Sequence, residues 1–328
     1  MFNTRRFTLI IYLTIPIIFF ISLFLGSYQI SLSNILKILI NQGKDAEENL
    51  VIWQIRLPRV LVAIFAGAGL AVASSIFQNI FRNRLADPAI IGISSAAACG
   101  AVIASSFSII AGSILPSTVI SLSITWATIF ILFTLESRSK INQALIILGV
   151  SINALFTALI AAFSQINNSP QVRSFTSWSM GTLATVTWSD FYSVLCGTTI
   201  GIAVLVVISR KLDLFFISDV EIRALGENPS KVKTIAALAA GAIIAFATSA
   251  LGVISFIGLL VPNIVKAAGI YLHKESIYIV AGLGATLLLI SDTLARTLIS
   301  NLELPVSIFL VLIGVPFLIS MLLSKRVL

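Results

Sequence analysis

The sequence predicts an all-α membrane protein of about ten transmembrane helices. Three observations point there: an apolar composition, recurring apolar runs of spanning length, and positive charge gathered on alternate connections. Of 328 residues, 58% are hydrophobic and 10% are charged, against roughly 45 to 50% and about 25% in a typical soluble chain. A water-exposed surface needs many more ionic side chains, whereas a bilayer accepts Leu, Ile, Val and Phe anywhere and penalises charge. Soluble enzyme architectures are therefore excluded first.

A helix rising 1.5 Å per residue needs about 20 apolar residues to cross a ~30 Å hydrocarbon core. Such runs lie at approximately 7–33, 59–80, 89–111, 117–135, 141–163, 191–208, 233–250, 253–268, 277–295 and 306–323. The first follows Arg5 and Arg6 but is long for a signal sequence and ends Phe24-Leu25-Gly26-Ser27-Tyr28 without a small-x-small cleavage site, so it reads as an uncleaved span. The eighth is short, contains Pro262 and lies between Gly252 and Gly269. That pattern fits a broken or re-entrant helix, and the span number is nine or ten. Residues 1–328 are expected to form a single membrane domain.

The 21 Lys and Arg exceed the 13 Asp and Glu, giving a net charge of +8. In a soluble chain that excess would raise nucleic acid; in a membrane protein the inward bias of basic loops accounts for it, and no nucleic-acid partner is expected. With ten spans and the N-terminus inside, fifteen of the 21 bases fall on inner segments, among them Arg82, Arg84, Arg210, Lys211, Lys266 and Lys274. Lys37, Lys44, Arg56, Arg59, Arg173 and Arg296 remain outside. Both termini are then cytoplasmic.

Within the spans, no acid or base falls near a helix middle; Asp292 and Arg296 are the deepest, at a helix end. A proton- or sodium-coupled carrier needs an ionisable relay at membrane depth, and an intramembrane enzyme needs a paired acid and base or an activated nucleophile. Both classes are disfavoured. Small residues are dense instead, as in Gly67-Ala68-Gly69 and in Gly92, Ala96 and Gly100 at four-residue spacing, which predicts close helix packing rather than dinucleotide binding. Cys99 and Cys196 stand apart inside apolar runs and read as small buried hydrophobes. His273 has no Cys or carboxylate cluster at ligand spacing, so neither a metal site nor a catalytic residue is expected. No Gly-x-x-x-x-Gly-Lys-Ser/Thr run occurs, so the chain carries no nucleotide site of that kind, and no cofactor is expected.

The loops are more informative. The longest inner connection, 209–233, reads SRKLDLFFISDVEIRALGENPSKVK. Ser218 with Glu221 forms a capping box, Gly226 suits the position after a helix end, and Asn228-Pro229 restarts a helix. The result is a short helix from Asp219 to Leu225 followed by a sharp elbow, read either as an ordinary interfacial loop or as a rigid knob offered to a cytoplasmic protein. On the outer side, Arg56-Leu57-Pro58-Arg59 opens the second span and Asp292-Thr-Leu-Ala-Arg296 closes the ninth. The simplest reading makes Asp292 and Arg296 an i,i+4 surface pair and sets Arg56 and Arg59 against lipid headgroups. A docking surface for an acidic partner competes with it, because half of the six outer bases lie in these two motifs.

Four stretches, in order, resemble the FecCD-type permeases of ABC importers for ferric siderophores, haem and cobalamin. They are RLPRVLVAIFAGAGLAVASSIFQNIFRNRLADPAIIGISSAAACGA from Arg56 to Ala101, GVISFIGLLVPNIVKAAG from Gly252 to Gly269, ISDTLAR from Ile290 to Arg296, and ELPVSIFLVLIGVPFLISMLL from Glu303 to Leu323. The resemblance implies a ten-span permease subunit of the bacterial cytoplasmic membrane. It implies as partners a second, identical or homologous permease, two ATP-binding cassette subunits and an extracytoplasmic substrate-binding protein, with a ferric siderophore as the favoured cargo and haem or cobalamin as alternatives. ATP hydrolysis would belong to the partner subunits, not to this chain. It also implies roles: Asp219, Glu221, Arg223, Ala224, Leu225 and Gly226 in coupling to the ATPase; Arg56, Arg59 and Arg296 in docking glutamates of the binding protein; and Asn83, Leu85, Asn142 and Gln143 at a cytoplasmic gate. The sequence departs from the family at Arg84 and Asn263, where proline and histidine are usual, and at Lys266 and Ser307, where arginine and glycine are usual.

Overall fold

The computed structural model describes residues 4–43, 45–111, 117–138, 144–166, 180–299 and 303–323. Its elements are α-helices: α1 (Thr4–Phe24), α2 (Leu32–Leu39), α3 (Ala46–Leu50), α4 (Leu57–Ile80), α5 (Ile93–Ala111), α6 (Ser117–Arg138), α7 (Ala144–Ile166), α8 (Trp188–Val207), α9 (Asp219–Ala224), α10 (Pro229–Leu251), α11 (Ile257–Ala267), α12 (His273–Thr297) and α13 (Val306–Leu323). Among the described residues, five helices are long and apolar enough to cross a membrane, and five more are apolar over shorter lengths. Together these ten fall on the ten apolar runs.

Three boundaries differ from the sequence reading. The first span stops at Phe24, and the rest of that run folds as α2, whose start is capped by the Ser31 hydroxyl accepting from the Asn34 N–H. The second begins far earlier than 59: α3 passes through a π-helical stretch, Val51–Arg56, directly into α4, so that one continuous helix runs from Ala46 to Ile80. Such π turns widen the helix locally and re-aim side chains, and Arg56 sits at the junction. The eighth run yields only the 11 residues of α11, roughly 16 Å at helical rise and too short to span a bilayer core. It starts after a break where Gly252 and Phe256 take positive φ of 74° and 71°.

Helix α4 is the hub, packed by α8, α10, α11 and α12. A Cβ on Gly67 would meet the carbonyl oxygen of Gly284, and one on Gly284 the carbonyl oxygen of Gly67. Backbone therefore lies on backbone where α4 crosses α12, as dense small residues permit. Gly100 packs in the same way on the backbone of Ser121 in α6. Gly92 is not part of that helical stripe: it precedes α5 with φ of 82°. Cys99 is buried as expected, but Cys196 is exposed, on an outer face of α8. Large apolar side chains such as Phe130 and Val207 also lie exposed on the outside of the bundle, as a lipid-facing surface requires.

Candidate functional site

Two clusters, at opposite ends of α4, gather those residues singled out from sequence that the structure describes. At its N-terminal end, Arg59 is 5% exposed and Asp292 wholly buried. Arg59 Nε donates to Asp292 Oδ1 at 3.0 Å and Nη2 to the same oxygen at 2.8 Å, while Nη1 donates to Glu303 Oε1 and Oε2 at 3.0 and 3.1 Å. Arg59 thus holds two carboxylates at once, a fork geometry that lysine lacks. Arg296 approaches Asp292 Oδ2 at 3.7 Å, donates to the Ser22 hydroxyl at 2.7 Å and also to the Ser22 carbonyl. Arg56 donates to the carbonyls of Leu23, Phe24 and Tyr28, which lie where α1 has run out of helical partners.

This corrects the simplest sequence reading. Asp292 and Arg296 are an i,i+4 pair, but a buried one, and Arg56 and Arg59 face protein carbonyls and carboxylates rather than headgroups. All three arginines nevertheless converge: with Glu303 and Tyr28 they line one cavity of about 330 Å³. Sequence reasoning assigned no role to Glu303, although it stands at the head of one of the four family-like stretches.

At the opposite end, α9 is a single short helix held by the expected capping box: the Glu221 N–H donates to the Ser218 hydroxyl, and the Ser218 N–H donates to the Glu221 carboxylate at 2.8 Å. Ile222 is its one buried residue, whereas Glu221, Arg223, Ala224, Leu225 and Gly226 are exposed. Gly226 has φ of 81°, so the chain turns there at no steric cost. Asp219, half-buried, anchors the knob through Arg82 at 2.6 Å and Lys233 at 3.4 Å. Burial works to raise the Asp219 carboxyl, but Lys233 and Arg82 outweigh it and hold it below the usual aspartate range. Hydrogen bonds from the Ser218 side chain and backbone likewise lower Glu221.

Arg82 also donates to the carbonyls of Phe215 and Ile217, in the stem of the knob. It adopts φ of 46° and immediately precedes Asn83, whose side-chain oxygen accepts from the Leu85 N–H at 2.8 Å. Asn83 and the exposed Leu85 therefore lie on a loop tied to α9 by one guanidinium. Asn142 and Gln143 lie outside the described residues. Asn83, Arg84, Lys266 and Ser218 share a cavity of about 450 Å³ between the loop and the knob stem. Asn263 reaches the same loop, donating to the Arg84 carbonyl at 3.2 Å.

Residues 13–324 match the FecCD transport family. The chain belongs to that family. It is 38% identical to the hemin transport system permease protein HmuU of Yersinia pestis over 281 residues, 84% of each chain. The molybdate import system permease protein MolB of Haemophilus influenzae is 31% identical, over 90% of this chain and 89% of that one. Among solved structures, an inward-facing metal-chelate type ABC transporter superposes with a TM-score of 0.83 at 26% identity, covering 98% of this chain and all of the other. The protein is accordingly a membrane-embedded permease subunit of an ABC importer, and the ATPase is a separate subunit.

Two further buried groups make contacts that the sequence reading did not foresee. Asp87 is 4% exposed and accepts from the Ala89 N–H at 3.0 Å, fixing the turn that leads from the Asn83 loop into α5. Its only sequence signal is the Asp-Pro pair, a turn signature. His273, which precedes the apolar run 277–295, opens α12, and its Nδ1 lies 2.8 Å from Asp213 Oδ1 in the stem of the knob.

Proposed function

We propose that this permease imports a ferric siderophore, paired with a second permease and worked by two ATP-binding cassette subunits that grip α9. In this reading the knob end faces the cytoplasm, as do both termini, and the arginine end receives an extracytoplasmic substrate-binding protein. The observation that carries the proposal is the direct linkage of Asp219 to Arg82 and of Arg82 to the stem carbonyls. A push on α9 is delivered through a short ion pair to the loop bearing Asn83 and Leu85, whereas an unbraced tether would dissipate it. When the ATPases close on nucleotide, the knobs move together and that loop opens or shuts the inner end of the path.

Haem is the second reading, favoured by the similarity to the hemin permease of Yersinia pestis. Reconstitution with the ATPase and binding protein in proteoliposomes tests both. Radiolabelled iron delivered as a ferric hydroxamate or catecholate should accumulate only with internal ATP. Accumulation of molybdate or cobalamin with no iron chelate would overturn the iron assignment, and accumulation of haem alone would select the second reading.

A further inference from the structure

The cavity at the arginine end holds one feature that docking alone leaves unexplained. Three guanidinium groups, Arg56, Arg59 and Arg296, surround it, but among the described residues only two carboxylates, Asp292 and Glu303, form ion pairs with them. The third guanidinium, that of Arg56, has backbone carbonyls for partners and no carboxylate. Arg296 Nε, on a side chain only 7% exposed, lies 3.7 Å from Asp292 Oδ2 and makes no hydrogen bond, and an unsatisfied buried donor is costly. The two resident acids also differ sharply. Asp292 is completely buried on α12, whereas the Glu303 side chain is 48% exposed and, among the described residues, is the acid that lines the cavity.

We infer that Glu303 is a resident stand-in for a carboxylate of the docked binding protein, displaced from Arg59 when the partner arrives; this rests on the docking reading above. Charge complementarity selects the occupant, since an incoming acidic side chain adds negative charge where three guanidinium groups face two resident carboxylates. A permanent ligand would be as inaccessible as Asp292. Glu303 instead stands at the edge of solvent, one residue before the Leu304 N–H that donates to the Ala295 carbonyl and three before the Val306 N–H that donates to Gly181. Its release removes the side-chain tie between Arg59 and the segment entering α13, so occupation of the outer cavity is felt at the start of the last helix. While Glu303 stays in place it competes with docking and keeps the empty permease from holding its partner tightly.

The test measures the affinity of the permease–ATPase complex in nanodiscs for its binding protein, comparing wild type, Glu303→Gln and Arg59→Lys. The glutamine keeps size and hydrogen bonding but removes the competing charge. It should tighten binding by about tenfold, the equivalent of roughly 1.4 kcal/mol, while Arg59→Lys, without the two-pronged fork, should weaken it. Thermal unfolding of each variant confirms that it is folded. Unchanged affinity in Glu303→Gln alongside weakening in Arg59→Lys would overturn the stand-in and leave docking intact. No change in either variant would overturn docking and the stand-in with it. A tightening lost in nanodiscs without anionic lipid would assign the cavity to lipid phosphate and overturn the inference.

Discussion

At the arginine end of α4, charge is drawn inward: Arg59, Arg296 and Asp292 are buried against one another, and Arg56 is spent on the carbonyls at the end of α1. At the knob end the arrangement is reversed, with Glu221, Arg223 and Leu225 exposed on a helix held by one buried Ile222 and its caps. The first cluster supplies rigidity, because removing one partner strands another charge in a low dielectric. The second supplies a lever, because its ionic groups act at the surface and a change there alters transmission more than folding. Substitutions at the two ends should therefore separate loss of the fold from loss of coupling.

The largest effect is expected for Asp292→Ala, which leaves Arg59 and Arg296 buried without their shared acid and should destabilise by about 3 to 5 kcal/mol. Thermal unfolding of the purified protein checks this, and a change under about 1 kcal/mol would show that the cluster is not structural. Next comes Gly284→Leu. Its side chain has nowhere to go against the Gly67 carbonyl, and about 1 to 3 kcal/mol of overpacking cost should appear as a lowered Tm and poor membrane insertion. Ser218→Ala removes the cap of α9 at a cost of about 1 kcal/mol to that helix. The protein should still fold, but transport-coupled ATP hydrolysis should fall, and unchanged coupling would contradict the lever.

The smallest effect is that of acid on the Asp219 brace. Its carboxyl is held below the ordinary value of 3.8, so the folded state binds the proton less tightly than the unfolded chain. The brace is then fully present above about pH 4 and is lost only as pH falls through the lowered value. Coupled ATP hydrolysis that depends on this pair should be unaffected by pH down to about 5. A fall centred near pH 6 that Asp219→Asn abolished would show the carboxyl to be raised instead.

Much of this was legible in the sequence, for identifiable reasons. Spans were readable because length and apolarity are dictated by the bilayer, and α9 was readable because the Ser218–Glu221 box and Gly226 are local signals. The ends of the first two spans were missed: Gly26-Ser27 and the Ser31 cap after Phe24 were passed over inside a long apolar run, and the π-helical entry at Val51–Arg56 has no local break residue. The pairing of Arg59 with both Asp292 and Glu303 was also hidden, because these residues lie 233 and 244 positions away and only the fold brings them together. A separation of 60 positions likewise conceals the contact between Asp213 and His273.

Uptake by this permease in proteoliposomes, with and without its ATPase subunits, tests most directly the view that the chain is moved by a motor outside itself. Cargo should accumulate only when the ATPase is present and hydrolysing ATP, with no response to an imposed proton or sodium gradient. Accumulation driven by such a gradient through the permease alone would contradict that view.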